Sequence, residues 1–340
     1  MSRMDFRPLL VVAALIAAVV WLTLSGRDET IPLSAAGRSS AVPSEGLQPI
    51  LPLKSFDDLD PGQVALGEQL FRDTRLSGNF TVACLSCHDP AKGGVDGRQF
   101  STGIGGAIGG INAPTVLNAA YNLAQFWDGR ASSLETQAAG PIHNPLEMGS
   151  NWTQVLGRLR EDKEMVERFA RAYLEGLTAD NIVHAIASYE RSLVTVNGRF
   201  DRFLKGEKQV LTPIEIDGYR RFREYGCASC HQGMLLGGNM YQKFGVMGDY
   251  FAGKALTKED LGRFNVTQRE EDRHVFKVPS LRNIELTAPY FHDGSAPTLE
   301  SAVSVMGRYQ LGRDLSAQDI QAIVAFLKTL SGPVPQSGAQ

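Results

Sequence analysis

Cys-Leu-Ser-Cys-His at residues 84–88 decides the fold of this 340-residue chain, and Cys-Ala-Ser-Cys-His at residues 227–231 repeats it. C-x-x-C-H is the attachment signature of a c-type haem, in which two thiols bond the porphyrin vinyl groups and the histidine binds the iron. The residues concerned are Cys84, Cys87, His88, Cys227, Cys230 and His231, and they include all four cysteines of the chain. The sequence therefore predicts two covalently bound c-type haems, with His88 and His231 as iron ligands.

Other uses of four cysteines fit this spacing less well. A four-cysteine zinc site would place its two pairs about 15–20 residues apart, whereas Cys84 and Cys227 are separated by more than a third of the chain. A thioredoxin-like centre would not need the histidine twice, and disulfide bonds within a repeated C-x-x-C-H are an unexpected choice. Haem attachment is the interpretation that uses every residue of both motifs.

The repeat extends beyond the motifs and predicts an internal duplication. A segment that resembles a short amphipathic helix precedes each motif, and residues 114–135 align without gaps on residues 279–300. The aligned stretches share a proline, an asparagine, a phenylalanine, an Asp-Gly pair and a Leu-Glu pair. Two copies of one haem-binding unit are the simplest explanation.

The fold is predicted to be mainly α, with two haem domains packed against each other and long loops around the haems. Apolar residues recur at helical spacing in residues 180–196 and 315–330, and Ser316 followed by Asp319 resembles a helix start. No stretch shows the alternation of a convincing strand. The predicted segments are a signal or anchor at 1–25, a flexible linker at 26–61, an N-terminal haem domain at 62–205 and a C-terminal haem domain at 206–333.

The N-terminal segment predicts export. Arg3 and Arg7 precede an apolar run from Leu9 to Leu24, and both a cleaved signal peptide and an uncleaved membrane anchor are consistent with it. With either, the remainder of the chain lies outside the cytoplasm. A net charge of −3 without a basic cluster makes nucleic acid an unsuitable partner.

Residues 100–115, Phe-Ser-Thr-Gly-Ile-Gly-Gly-Ala-Ile-Gly-Gly-Ile-Asn-Ala-Pro-Thr, form a glycine-rich loop between the first haem motif and Trp127. The glycine spacing does not match G-x-G-x-x-G, and no GK[ST] follows, so the loop is not predicted to bind a nucleotide. It also contains no side chain that binds iron firmly.

Six ordered stretches together resemble the bacterial dihaem cytochrome c peroxidases and their MauG-type relatives. They are CLSCH, INAPTVLNAAYNLAQFWDGR, NPLEMG, CASCH, VPSLRNIELTAPYFHDG and VMGRYQLGR. The resemblance covers about residues 50–332. It implies two cytochrome c-like domains, a calcium ion between the haems, and reduction of hydrogen peroxide with electrons from a small periplasmic carrier.

The resemblance also implies the catalytic residues of the N-terminal haem. Glu147 in NPLEMG and Gln137 before it match the catalytic pair of the family, with Glu147 moving the proton and Gln137 orienting the peroxide. Trp127 matches an aromatic residue that carries charge between the haems, although a purely structural tryptophan is the alternative. Met148 is interpreted as part of the pocket wall.

At the C-terminal haem, Met306 matches the position of the family's methionine ligand. A thioether ligand raises the reduction potential and keeps peroxide away from the iron, which suits a haem that accepts electrons. Tyr309 is the alternative, because MauG has a tyrosine at the equivalent site. The other methionines of this half also compete for the role: Met234, Met240 and Met247.

Asn112 and the carbonyls of Thr287 and Pro289 match the calcium positions of the family. From the sequence alone these stretches are equally consistent with simple turns. His292 replaces Trp127 in the second copy of the repeat and receives no role; His184 and His274 are interpreted as surface or packing residues.

In many such peroxidases the glycine loop carries a histidine that caps the N-terminal haem until the second haem is reduced. The matching position here is close to Ile104, so the resemblance implies a five-coordinate or water-bound iron that needs no reductive activation. The alternative is that another side chain, such as His143, takes the position.

The resulting hypothesis is a periplasmic dihaem peroxidase supplied by a cytochrome c or a cupredoxin, soluble or tethered to the inner membrane. The alternatives are a MauG-like enzyme that oxidatively modifies a partner protein and a dihaem electron carrier without catalysis. The identity of the donor and the choice between monomer and homodimer are left open.

Overall fold

The computed structural model describes residues 50–335. The predicted signal or anchor at 1–25 and most of the predicted linker lie outside this range. The α-helices are α1 (Pro61–Phe71), α2 (Leu134–His143), α3 (Trp152–Arg160), α4 (Lys163–Ala172), α5 (Ala179–Ser192), α6 (Arg199–Leu204), α7 (Pro213–Glu224), α8 (Phe264–Thr267), α9 (Leu299–Val305) and α10 (Ala317–Lys328). Within the described range, no helix combines the length and the apolar character needed to cross a membrane.

The same helix crossing occurs once in each half of the chain. In the first half α1 packs on α5, and a Cβ added to Gly67 would lie 1.9 Å from the carbonyl oxygen of Ala185. In the second half α7 packs on α10, and a Cβ on Gly218 would lie 1.8 Å from the carbonyl oxygen of Ala322. Only glycine permits such close contact between two backbones. The equivalence supports the predicted duplication, since each crossing involves the helix that precedes a haem motif.

Each half of the chain contributes most of one large cluster of buried apolar residues. One is built from buried residues between Leu66 and Leu193, and the other from Ile50 together with residues between Phe200 and Leu330. Phe200 lies before the predicted boundary at residue 205 but packs with the second cluster. A smaller aromatic cluster, of Phe244, Tyr250, Phe251 and Phe276, lies against residues of both halves, including Trp127.

The helices expected from the sequence are present. Of the predicted segment 180–196, residues 180–192 lie in α5 and the last four lie beyond its end. Ser316 is the N-cap of α10: its hydroxyl accepts from the Asp319 N–H at 3.1 Å, and the Asp319 carboxylate accepts from the Ser316 N–H. This reciprocal pairing is a capping box, which satisfies backbone donors that the first turn leaves free.

The expectation that no strand forms is wrong in one place. Strands β1 (Tyr241–Lys243) and β2 (Val275–Lys277) pair in an antiparallel two-stranded sheet. Strands of three residues are too short to show a period of two, so the sequence pattern could not reveal them.

The flexible linker predicted for residues 26–61 is too long at its C-terminal end. Ile50 and Leu53 are buried, and the Leu53 N–H donates to Asp201 Oδ1 at 3.0 Å. Arg282 donates to the carbonyl of Leu51 at 3.0 Å. Residues 50–53 therefore belong to the folded part, because long-range contacts bind them to the second half of the chain.

Candidate haem sites

Each haem motif folds as a short 3₁₀ turn just before its histidine. The turns span Cys84–Ser86 and Cys227–Ser229, and the N–H of each histidine bonds back to the carbonyl of the first cysteine. Cysteines three residues apart thus lie on one side of a tight turn, beside the histidine. This is the arrangement needed to hold a porphyrin edge and its iron at once.

Both histidines are oriented by backbone carbonyls. Nδ1 of His231 lies 3.0 Å from the Leu236 carbonyl oxygen, and Nδ1 of His88 lies 3.4 Å from that of Gly94. A carbonyl can only accept, so Nδ1 carries the proton and Nε2 is left to bind iron. Burial lowers the pKa of both rings, which favours the neutral form that a metal requires.

The four thiols are partly exposed, but their surroundings disfavour the thiolate form of Cys84 and Cys227. Burial raises the pKa of Cys84 to about 12 and that of Cys227 to about 11. Among residues 50–335, no group of three or more His, Cys, Asp or Glu side chains is arranged to hold a metal ion.

A cavity of about 240 Å³ lies beside the second motif. Cys227, Cys230 and His231 line it, and most of the remaining surface is apolar, with leucine, isoleucine, valine and phenylalanine side chains of α7, α9 and α10. An apolar wall next to two thiols and one imidazole suits a covalently attached porphyrin. The donor set and the cavity thus fit the predicted group.

Met306 lines this cavity together with His231, whereas Tyr309, Met234, Met240 and Met247 do not. Met306 is the first residue of a π-helical turn, Met306–Gln310, that continues α9. Tyr309 is directed elsewhere, with its ring 5.2 Å from that of Tyr250 in an edge-on contact. Single π-turns are frequent at functional sites.

Glu147 lies near the first motif. Its charge adds to the effect of burial in raising the pKa of both Cys84 and Cys87. Asn144 Nδ2 donates to Glu147 Oε1 at 2.7 Å. Burial raises the pKa of Glu147 itself, although the Asn144 amide and the charge of Arg130 act in the opposite direction.

Gln137 lies on α2, which ends four residues before Glu147. It is half-buried, and no hydrogen bond joins its side chain to Glu147 in the described structure. Met148 is buried in the N-terminal core, as expected for a wall residue. His143 is exposed at the end of α2, with its ring 5.4 Å from that of Trp152.

The glycine loop is attached to the Glu147 segment. The Ile104 N–H donates to the Glu147 carbonyl oxygen at 2.8 Å. A Cβ on Gly103 would lie 2.0 Å from the carbonyl oxygen of Leu146, so only glycine allows this approach. The Ile104 side chain packs against the N-terminal core. The loop therefore holds the backbone that carries Glu147.

Trp127 lies between the two halves. It lines the cavity of the second motif, and its Nε1–H donates to the carbonyl of Asn112 at 2.9 Å. Asn112, Thr287 and Pro289, the three residues assigned to calcium, line the same cavity. The Asn112 amide donates to the carbonyls of Arg98 and Gln99 at 3.0 and 3.3 Å, which leaves its Oδ1 as the acceptor end.

Sequence reasoning missed three residues of this region. His292 is buried in the cavity wall, stacks on Phe276 at 4.4 Å, and its Nε2 lies 2.8 Å from Asp260 Oδ1. Burial opposes ionisation of Asp260, but hydrogen bonds from Thr257 and His292 outweigh it and lower the pKa of Asp260. Lys277 also lines the cavity. The only sequence signal for it was a lysine between apolar residues, two positions before Pro279 of the repeat.

Comparison with known proteins identifies the family. A sequence model described as di-haem cytochrome c peroxidase matches residues 61–209. Cytochrome c551 peroxidase of Nitrosomonas europaea is 45% identical over 314 residues, which cover 91% of this chain and 93% of that protein. Cytochrome c551 peroxidase of Pseudomonas aeruginosa is 43% identical, over 81% of this chain and 80% of the relative.

The chain belongs to the di-haem cytochrome c peroxidase family. This membership confirms the resemblance on which the site predictions were based. Cytochrome c peroxidase Ccp of Escherichia coli is 44% identical, but the chain spans only 63% of its length. Methylamine utilization protein MauG of Methylorubrum extorquens is 33% identical, over 82% of this chain and 81% of that protein.

A solved structure supports the family fold as well. The crystal structure of a MauG-like protein associated with microbial copper homeostasis superposes with a TM-score of 0.73 at 28% identity, over 87% of this chain and 96% of that one. The mainly helical fold predicted from the sequence is therefore confirmed over the described residues.

Proposed function

We propose that this di-haem cytochrome c peroxidase reduces hydrogen peroxide to water at the haem of residues 62–205. Electrons would arrive through the haem of residues 206–333 from a small periplasmic cytochrome c or cupredoxin. The observation that carries the proposal is the position of Glu147, a half-buried carboxyl near Cys84 and Cys87 with one oxygen held by Asn144.

Glu147 supplies the acid–base chemistry. Because Asn144 occupies Oε1, Oε2 would take a proton from one peroxide oxygen and return it to the other, which leaves as water when the O–O bond breaks. Two electrons from the donor and two protons from solvent would convert the remaining oxygen into the second water. The bound haem supplies the iron that exchanges electrons with the substrate. Gln137, half-buried on α2, would orient the peroxide through its side-chain amide.

Glu147 is held from two directions. The bond from the Ile104 N–H fixes its backbone, and the bond from Asn144 fixes its side chain. Such preorganisation avoids reorganisation during proton transfer. The glycine loop would therefore position the catalytic segment, in addition to leaving the iron accessible.

The C-terminal haem would be bound by His231 and Met306. Both side chains line one cavity, and a thioether ligand excludes peroxide and raises the reduction potential. Trp127 would carry electrons between the haems. Its side chain lines the cavity of the second haem motif, although the residue itself belongs to the first half of the chain.

A calcium ion would be held by Asn112 Oδ1 with the carbonyls of Thr287 and Pro289. All three residues line one cavity, and neutral oxygens completed by water form a weak calcium shell. Treatment with a chelator should then alter the haem spectra, and added calcium should restore them. Spectra that do not change on chelation would contradict this assignment.

One observation favours a second function, oxidative modification of a partner protein as in MauG. The loop at residues 102–110 contains no histidine, so peroxide needs no prior reduction of the enzyme. Met306 in place of a tyrosine favours the peroxidase.

Steady-state turnover of peroxide with several reduced cytochromes c and cupredoxins tests the proposal. We expect rapid donor oxidation with two electrons consumed per peroxide. If no donor is oxidised although both haems are attached, the protein is an electron carrier or acts on a partner protein instead.

A further inference from the structure

Lys277 is a buried lysine that faces the second haem cavity. It ends strand β2, and its backbone N–H donates to the carbonyl of Trp127 at 2.8 Å. Its side chain is only 7% exposed and lines the same cavity as His231 and Met306. A lysine is rarely buried to this extent unless an anion pairs with it.

Within residues 50–335, Lys277 has no such anion. Burial alone lowers its pKa to about 8, and no carboxylate contributes in the opposite direction. The wall of the cavity contains the cations Lys277 and Lys243 but neither aspartate nor glutamate. An ammonium group withdrawn from water in this way is costly unless a negative charge compensates for it.

We propose that Lys277 binds a propionate carboxylate of the C-terminal haem. The two thiols of Cys227 and Cys230 and the imidazole of His231 fix the porphyrin at three points, and the porphyrin then brings its carboxylates into a cavity without acidic side chains. Lys243, the other cation of the wall, is exposed and can be solvated by water. Lys277 is therefore the lysine whose buried positive charge requires a carboxylate to compensate for it.

The pairing has a functional consequence. A fixed positive charge beside the haem stabilises the ferrous state relative to the ferric state, because the ferric state has one more positive charge. Lys277 would thus raise the reduction potential of the haem that accepts electrons, adjacent to Trp127. This role rests on the proposed function of the C-terminal haem as the electron acceptor.

Redox titration of the purified holoprotein tests the pairing. Lys277→Met should shift the ferric–ferrous equilibrium of the C-terminal haem about tenfold towards ferric, or about 59 mV for one electron. Lys277→Arg keeps the charge and should remain close to the wild type. Lys328→Met, at an exposed lysine of α10, is the matched control. Equal potentials for wild type and Lys277→Met, with both haems attached, would overturn the proposal.

A second measurement uses the wild type and does not require a Lys277 variant to fold with both haems attached. In a crystal structure of the wild-type holoprotein, Lys277 Nζ should lie within about 4 Å of a propionate oxygen; a larger separation contradicts the pairing. Neither readout uses peroxide. A protein that does not turn over peroxide would contradict the proposed function but not the Lys277 pairing. A protein without the pairing would contradict this inference but not the proposed function.

Discussion

At the scale of single residues, Glu147 gives the sharpest expectation. Glu147→Gln removes the proton acceptor, so turnover of peroxide should fall by about 10² to 10⁴, the usual contribution of general acid–base catalysis. Both haem spectra should persist, because the glutamine can still pair with Asn144. Glu161→Gln, at an exposed glutamate after α3, is the control.

The pH dependence of peroxidase activity should also be determined by Glu147. Burial raises the pKa of Glu147, and the carboxylate is the active form. Activity should therefore fall as pH decreases through a pKa above the usual range of a glutamate, and Glu147→Gln should lack this acid limb. A variant that keeps full activity and the same pH profile would remove Glu147 from the mechanism.

The absorption spectrum of the C-terminal haem tests whether Met306 is its ligand. Met306→Leu should convert the C-terminal haem from low spin to high spin and lower its potential, because the ligand opposite His231 is lost. Tyr309→Phe should leave the spectrum unchanged, since Tyr309 does not line the cavity. The opposite pattern would assign the ligand to Tyr309.

At the scale of elements, the glycine loop determines access to the N-terminal haem. Nothing between Thr102 and Gly110 can bind iron, and His143 is exposed against Trp152. The oxidised wild-type protein should therefore contain one high-spin haem and bind cyanide without a lag. Two low-spin haems in that state would show that an unassigned residue caps the iron.

Ile104→His tests the loop by supplying the missing ligand. Gly105 and Gly106 adopt positive φ with open space around them, so the loop can turn at these residues. Part of the N-terminal haem should become low spin and lose rapid cyanide binding. Ile104→Ala, which loses the packing without adding a ligand, should remain high spin.

At the scale of the whole molecule, Arg282 connects distant parts of the chain. It is almost fully buried, pairs with Asp201 at 2.9 Å and donates to the carbonyls of Leu51 and Met234. Arg282→Met leaves the buried carboxylate of Asp201 without its cationic partner. The free energy of unfolding in urea should therefore fall by about 3–5 kcal/mol.

The control for Arg282 is an exposed ion pair. Arg308 and Asp314 lie 3.2 Å apart at the surface, so Arg308→Met should change the free energy of unfolding by about 0–1 kcal/mol. Equal effects of the two substitutions would show that the Arg282 network does not stabilise the fold.

The sequence by itself determined the chemistry that depends on residue type and local spacing. C-x-x-C-H needs only one turn of chain, which is why both haem motifs could be recognised directly and both adopt the same 3₁₀ turn. The capping box of α10 and the periodicity of α5 are local for the same reason. The duplication was visible because its two copies align residue by residue.

Only the tertiary structure decided what depends on contacts between distant segments. Lys277 faces His231 and Met306 because a two-stranded sheet too short to predict places it there. Asp260 is hydrogen-bonded to His292, 32 residues further along the chain. The glycine loop is bonded to Glu147 through the Ile104 N–H and a backbone carbonyl, a contact that no pattern of residue types predicts. Burial and pairing are properties of the assembled chain, since a side chain's charge environment is set by whichever segments fold around it.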